Sequence, residues 1–192
     1  MAILISHLPD EIEVGDDIVL RAKSKDSYPS FAEVIVHEKE NLSKYVPWAI
    51  DAPNQSSIDH YFGAPEKKAT NVAADYDIFI NLQFVGAVGA MNRTPESEII
   101  ELGYWLSFKY HGRGIMTKSV VRLTDVVFEN TDTPAIEIGY QPENKESEAV
   151  AVRSGFDFYR NGTCTPSVAD EERDARFNLM TRERWMETKS QH

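Results

Sequence analysis

The sequence predicts a mixed α/β domain in which one mixed β-sheet carries helices on both faces. Three observations predict it. From residue 98 onward strand-like and helix-like segments alternate, the order of parallel crossover units, whereas the first half carries a hairpin-like pair of strands. Between them Met116, Val120, Leu123 and Val127 recur at i, i+4, i+7 and i+11, one apolar stripe suited to lying on a sheet.

The elements follow in chain order. Met1 to Asp17 carry no clear period and read as a loose start, and Ile18 to Ala22 is the first strand. Ser27 is the expected cap of a helix over Tyr28 to Lys39, with Pro29 tolerated in its first turn. Leu42 to Trp48 reads as a short helix or turn closed by Pro47, and Ser56 or Ser57 as the start of a helix through Phe62. Tyr76 to Ile80 and Phe84 to Ala90 form a hairpin around Asn81-Leu82-Gln83, its second strand weakened by Gly86 and Gly89. Glu98 to Phe108 is an apolar strand that enters the striped helix, and Pro134 to Tyr140 is the next strand. Asn144 can cap a helix through Ser154 that Gly155 ends, before final strands at Phe156 to Tyr159 and Arg176 to Met180. No internal repeat or long linker interrupts the chain, so residues 1–192 read as a single domain.

Composition excludes several functions. Forty-two per cent apolar residues with nine Phe and eight Tyr describe a globular chain with a substantial core. No apolar run approaches the ~18 residues of a membrane span, and the first residues lack the basic-then-apolar shape of a signal peptide. The lone Cys164 allows no internal disulfide and lies in a polar stretch that reads as loop, so the cytoplasm is the expected compartment. With 31 Asp and Glu against 20 Lys and Arg, the net charge of −11 argues against sequence-independent nucleic-acid binding and suits a cationic substrate. His37-Glu38 would need a second histidine at Asn41 to make a zinc site, and no metal site is expected.

The chemistry concentrates in Glu101 to Met116, ELGYWLSFKYHGRGIM. A strand that runs through a glycine-bearing loop into a helix N-terminus presents backbone N–H groups and the positive end of the helix dipole to an anion. Gly112 and Gly114 leave room for close approach, and Lys109, Arg113 and Lys118 make the segment locally cationic in an acidic chain. Two rival phosphate motifs fail at Thr117: a P-loop over Gly112 to Ser119 needs glycine there, and so does a dinucleotide fingerprint. For the latter, Asp132 also lies in a polar turn and not at a strand end.

The same residues resemble the GNAT acetyltransferases, whose pyrophosphate loop reads Gln/Arg-x-x-Gly-x-Gly/Ala. That pattern falls on His111-Gly112-Arg113-Gly114-Ile115-Met116, with His111 in place of the usual Gln or Arg and Met116 in place of the second small residue. Glu101 before Gly103-Tyr104-Trp105-Leu106, then Gly112-Arg113-Gly114-Ile115, Pro142-Glu143-Asn144-Lys145-Glu146-Ser147 and Gly155-Phe156 are similar to the ribosomal-protein N-terminal acetyltransferase branch, of RimJ/RimL type. The likeness is strongest over 98–159.

The resemblance implies a GNAT fold, a splayed mixed sheet with cofactor bound where two central strands part, and acetyl-CoA as co-substrate without a metal. Glu101 is then the expected base for the amine. Ser147 would donate to the departing thiolate, because Ala151 stands where many relatives carry a tyrosine; Tyr104 and Tyr140 are the alternatives. Leu106 would offer its N–H to the thioester oxygen, Phe108 would continue the edge that pairs with pantetheine, and Asn144 would bond the cofactor arm. His111, Gly112, Arg113, Gly114, Ile115, Met116 and Thr117 would hold the pyrophosphate, Arg113 as the cation. Trp48 and Tyr104 are the expected acceptor contacts, with Tyr45 and Pro47 beside Trp48 in an aromatic entrance. The implied reaction is acetyl transfer to a primary amine, with a protein or peptide α-amine favoured over a polyamine, amino acid or aminoglycoside. The alternative from another class is a non-catalytic acyl-CoA-binding sensor. Expected partners are the amine-bearing acceptor and neither nucleic acid nor membrane, with a homodimer left open.

Overall fold

The structure, a computed structural model, describes residues 8–45, 49, 73–92, 97–164 and 172–190. Within them an eight-stranded sheet runs in the order β1-β2-β3-β4-β5-β6-β8-β7. Its strands are β1 (Glu11–Gly15), β2 (Ile18–Ala22), β3 (Ala73–Ile80), β4 (Gln83–Asn92), β5 (Ile99–Leu106), β6 (Ala135–Tyr140), β7 (Asp157–Cys164) and β8 (Arg173–Thr181). Four described helices accompany it: α1 (Tyr28–Leu42), α2 (Ile115–Asn130), α3 (Lys145–Arg153) and α4 (Arg182–Lys189). Every pairing is antiparallel except β5 with β6. The mixed α/β class expected from the sequence is the one observed.

Alternation along the central strands sorts the core into two layers. Ile100, Leu102 and Leu106 of β5 face α2, meeting Met116, Val120, Leu123 and Val127, all buried, together with Ile136 and Ile138 of β6. The other face carries Trp105, Ala87 and Phe84, covered by Phe31 and Ile35 of α1. Phe31 meets Phe84 and Trp105 edge-on, with ring centroids 6.5 and 6.3 Å apart.

Four expectations change. The supposedly loose start contains β1, which closes a hairpin on β2 through Asp16 and Asp17, both in the left-handed region at φ 52° and 60°. Asp-Asp lacks the glycine that usually marks such a turn, so the hairpin leaves no local signal in the sequence. Ser27 makes no side-chain cap for α1; Ser24 instead accepts from the Asp26 N–H in the 3₁₀ turn ahead of it. Cys164 ends β7 and is not in a loop. α4 is a further element with no periodic signal in the sequence, because it has no apolar stripe. It is held by discrete contacts: Trp185 stacks on Phe128 and donates to Asp125 Oδ1 at 2.8 Å, and the Arg182 guanidinium donates to the carbonyls of Phe128, Thr131 and Thr133. Those carbonyls lie at the end of α2, where a cation also complements the helix dipole. Trp48, Pro47 and the helix expected from Ser56 or Ser57 to Phe62 lie outside the described residues.

Candidate active site

The parallel pairing of β5 with β6 is short. It covers Ile99↔Ala135, Ile100↔Ile136 and Glu101↔Glu137, and β5 continues to Leu106 beyond it. Across β5, the Ser107 N–H donates to the Val85 carbonyl at 2.8 Å, with Gly86 opposite Leu106 and Val88 opposite Tyr104. Antiparallel ladders alternate, so Leu106 and Tyr104 turn their backbone N–H and C=O groups away from β4, toward the side from which β6 has departed. A gap lined by backbone polar groups therefore opens between the two central strands. Gly86 permits the close approach of β4 behind it: a Cβ there would run into the Trp105 carbonyl and lie 2.9 Å from Leu106 Cα.

The loop at the mouth of this gap is built around its aromatic residues. The expected strand to Phe108 ends at Leu106; Phe108–Tyr110 is a 3₁₀ turn, and the Phe108 ring is exposed. The turn is clamped from α1: Glu38 accepts from Ser107 Oγ at 2.5 Å and from the Phe108 N–H at 2.6 Å. That N–H is thus engaged by Glu38, so the edge expected to pair with a pantetheine arm stops one turn earlier. Tyr110 is buried and donates to Gln83 Oε1 at 2.7 Å, tying the loop to the β3–β4 turn. His111 places Nε2 3.1 Å from the Leu106 carbonyl. A carbonyl only accepts, so this nitrogen carries the proton and the ring serves as a strut.

Gly112 and Gly114 follow, both at φ 73°, a conformation that favours glycine, and a Cβ at either would meet nothing within 4 Å. The loop surface is open where an anion would sit. Gly114 begins α2 without a side-chain cap, and the first turn (Ile115, Met116, Thr117) holds no acidic residue, leaving its N–H groups and dipole available. Arg113 is exposed, its guanidinium 5.2 Å from the Tyr110 ring centroid, whereas Lys118 pairs with Asp16.

Across the gap stands the start of α3. Asn144 Oδ1 accepts from the Ser147 N–H at 3.0 Å, so Asn144 is the helix cap that the sequence allowed. Ser147 meets Tyr104 of β5: the phenol lies 3.0 Å from Ser147 Oγ and donates to its carbonyl at 3.2 Å. Burial pushes the Tyr104 phenol well up from its ordinary value, with the Ser147 hydrogen bond opposing, so it stays protonated. Tyr140 donates instead to Asn178 Oδ1 at 2.7 Å, in a buried link to the Phe156 carbonyl. Glu148 joins Lys145 at 2.9 Å and Arg176 of β8 at 2.8 Å, which fixes the first turn of α3; the Lys145 bond leads in holding its carboxyl low. Tyr45 reaches the Glu143 carbonyl at 3.4 Å, bringing the segment after α1 beside the same turn.

Glu101 occupies the last β5–β6 pair, at the point where the strands part, on the Trp105 face. Its neighbour Glu137 shares that face and is buried, with Arg160 donating to Oε2 at 3.3 Å. Glu137 carries no motif in the sequence, and Glu38 figures there only in the His37-Glu38 pair that lacks a second histidine for zinc. Glu137 left a trace, a lone charge in the apolar run Ala135–Tyr140, and Glu38 left none, because its partners are 69 and 70 residues away. The structure thus brings Leu106, Tyr104, Ser147 and Asn144 to one gap, with residues 111–117 at its mouth and Glu101 at its root. The Glu38 clamp is testable. If this turn supports the loop that the resemblance assigns to acetyl-CoA, Glu38→Ala should weaken acetyl-CoA binding about 5- to 30-fold by freeing the turn, since hydrogen bonds to a charged group contribute ~1.5–3 kcal/mol before screening. Isothermal titration checks it, and unchanged affinity would remove Glu38 from the loop's support.

Among the described residues there is no group of acids, histidines and cysteines fit for a metal ion, and no helix long and apolar enough to cross a membrane. Comparison with known proteins gives the family and the fold. The sequence model of the family described as "Acetyltransferase (GNAT) domain" matches residues 17–157. The candidate ribosomal N-acetyltransferase YdaF of Bacillus subtilis (strain 168) is 26% identical over 149 residues, covering 75% of this chain and 80% of that protein. Among solved structures, the ribosomal L7/L12 α-N-protein acetyltransferase RimL with coenzyme A superposes with a TM-score of 0.79 at 22% identity, covering 91% of this chain and 99% of that one. The microcin C7 self-immunity acetyltransferase MccE with acetyl-CoA and AMP reaches 0.80 at 21% identity, covering 92% and 99%. At those identities the two structures speak for the fold.

Proposed function

The chain belongs to the GNAT acetyltransferase family, and from that premise we propose that it transfers the acetyl group of acetyl-CoA to the N-terminal α-amine of a protein or peptide. The observation that carries the reading is the parting of β5 from β6 beside an uncapped helix N-terminus. An extended pantetheine arm fits a gap lined by strand N–H and C=O groups, and a pyrophosphate fits the open loop at its mouth. In this reading His111 to Thr117 hold the pyrophosphate by backbone, Arg113 adds charge, and the Leu106 N–H polarises the thioester carbonyl. Glu101 takes the amine proton, directly or through a water. Ser147 donates a hydrogen bond to sulfur as thiolate charge builds. Tyr104 contacts the acceptor side, the role the resemblance also gives to Trp48, which lies outside the described residues.

The choice of an α-amine rests on the relatives, whose names describe ribosomal-protein acetylation. A small-molecule amine is the second reading, favoured by the equal likeness to the microcin C7 enzyme solved with AMP. One experiment separates them: acetyl-CoA with a panel of peptides and small amines, read by release of free thiol. Acceptor-dependent thiol supports an enzyme and identifies its class, whereas acetyl-CoA binding without turnover across the panel would make the chain an acyl-CoA sensor.

The loop assignment has its own test. Acetyl-CoA at 100 times its Kd should stabilise the native state by ~2.7 kcal/mol through mass action, seen as a raised melting temperature. Arg113→Glu puts a carboxylate where phosphate must lie and should shrink that shift. Equal shifts in both proteins would move the cofactor elsewhere.

A further inference from the structure

We infer that Tyr104 is a positioning residue for the leaving-group step, acting through Ser147 as the second member of a hydroxyl pair that can turn its donors toward sulfur. This rests on the reading of Ser147 given above and extends it to a residue that never touches the thiolate.

The geometry supplies two arrangements of the same atoms. The phenol has one proton and finds two acceptors on Ser147, the carbonyl at 3.2 Å and Oγ at 3.0 Å. In the first arrangement the phenol donates to the carbonyl, and the serine hydroxyl donates back to the phenolic oxygen. In the second the phenol donates to Ser147 Oγ, which leaves the serine proton directed outward, toward the gap. The Ser147 carbonyl lies within α3, where the backbone ladder provides it a donor, so losing the phenol costs it little.

Charge selects between the two. With a neutral thioester in place neither arrangement gains much. As the carbon–sulfur bond breaks and its electron pair goes to sulfur, the outward serine proton meets a growing negative charge. A chain in which Tyr104 donates to Ser147 and Ser147 donates to sulfur is then polarised along its length, each bond strengthening the next. No proton needs to leave Tyr104; the thiolate takes its final proton from solvent or from the ammonium product of attack. Burial of the phenol suits this role, because a hydroxyl that never ionises remains a donor at every working pH.

The test uses coenzyme A itself, so that it needs no acceptor. The ultraviolet absorbance of the bound thiolate is titrated against pH in wild type, Tyr104→Phe, Ser147→Ala and the double variant. Donation to sulfur favours the charged form and lowers the thiol pKa, so losing it raises that pKa. Tyr104→Phe should reduce the ionisation constant of the bound thiol about 2- to 5-fold, the scale of cooperative strengthening in a hydrogen-bond chain. Ser147→Ala should reduce it further, and Tyr104→Phe should then add nothing. Three results overturn the inference: the same Tyr104→Phe effect with and without Ser147, which would mark a merely structural hydroxyl; a rise in ionisation, which would mean that Tyr104 competes with sulfur for the serine proton; or loss of coenzyme A binding in Tyr104→Phe. If Ser147→Ala leaves the thiol unchanged, the role of Ser147 itself falls, and that of Tyr104 with it.

Discussion

Glu101→Gln is expected to lower acetyl transfer by ~10²- to 10⁴-fold, the usual cost of removing a general base, while acetyl-CoA affinity stays near that of the wild type. The amide keeps the size and much of the hydrogen bonding of the carboxylate but cannot accept the amine proton. Its position makes the two readouts separable. Glu101 belongs to the final β5–β6 pair and faces the Trp105 side, whereas the loop proposed for pyrophosphate lies beyond the far end of β5. Glu137 on the neighbouring strand shares that face, with Arg160 donating to it. Glu137→Gln should therefore cost less than Glu101→Gln. A pH profile with acceptors of different amine pKa completes the test. An acidic limb that moves with the amine belongs to the substrate; one that stays put and vanishes in the glutamine variant belongs to Glu101. Near-full activity of Glu101→Gln on a verified acceptor would make the residue structural.

Phe31→Ala should cost ~3–5 kcal/mol of stability, the range for truncating a buried aromatic side chain. Phe31 is fully buried, and its ring meets Phe84 and Trp105, so the cavity would open where α1 is fastened to the sheet. The loss should also reach the cofactor loop, because the same helix carries Glu38 to Ser107 and the Phe108 N–H. Denaturant unfolding measures the first effect and acetyl-CoA titration under native conditions the second. Val36→Ala is the control: that side chain is 58% exposed, and its removal should change stability by no more than ~0.5 kcal/mol. If Phe31→Ala unfolds at the wild-type denaturant midpoint, α1 does not depend on this aromatic cluster.

Local patterns revealed the elements whose signals lie within one turn or one pleat. The stripe of α2, the Asn144 cap and the glycines of the loop rest on patterns that act over a few residues, and each stands where it was expected; the turn expected over Asn81-Leu82-Gln83 is one residue tighter, because Gln83 already pairs with Ile80. In that turn Asn81 and Leu82 both adopt positive φ, at 48° and 65°, a conformation that suits Asn and that Leu82 takes against its local preference, so the flanking apolar strands set it. Elements held together at a distance left weaker traces. The first hairpin turns on Asp-Asp, α4 depends on single contacts to Asp125 and the end of α2, and neither has a period to detect.

By itself the sequence determined the mixed α/β class, the strands from β2 to β8 with the helices α1 to α3 among them, and the family, because these are written in short spacings and contiguous words. Tertiary structure decided which groups work together. Alternation along β5 puts Trp105 and Glu101 on one face and Tyr104 and Leu106 on the other, and only the early end of the β5–β6 pairing turns backbone groups of β5 toward a gap. Only folding sets Tyr104 against Ser147, 43 residues on, and Glu38 against a turn 70 residues away. Contacts of that range arise from sheet register and helix docking, which depend on the whole core at once, so no window of the chain contains them.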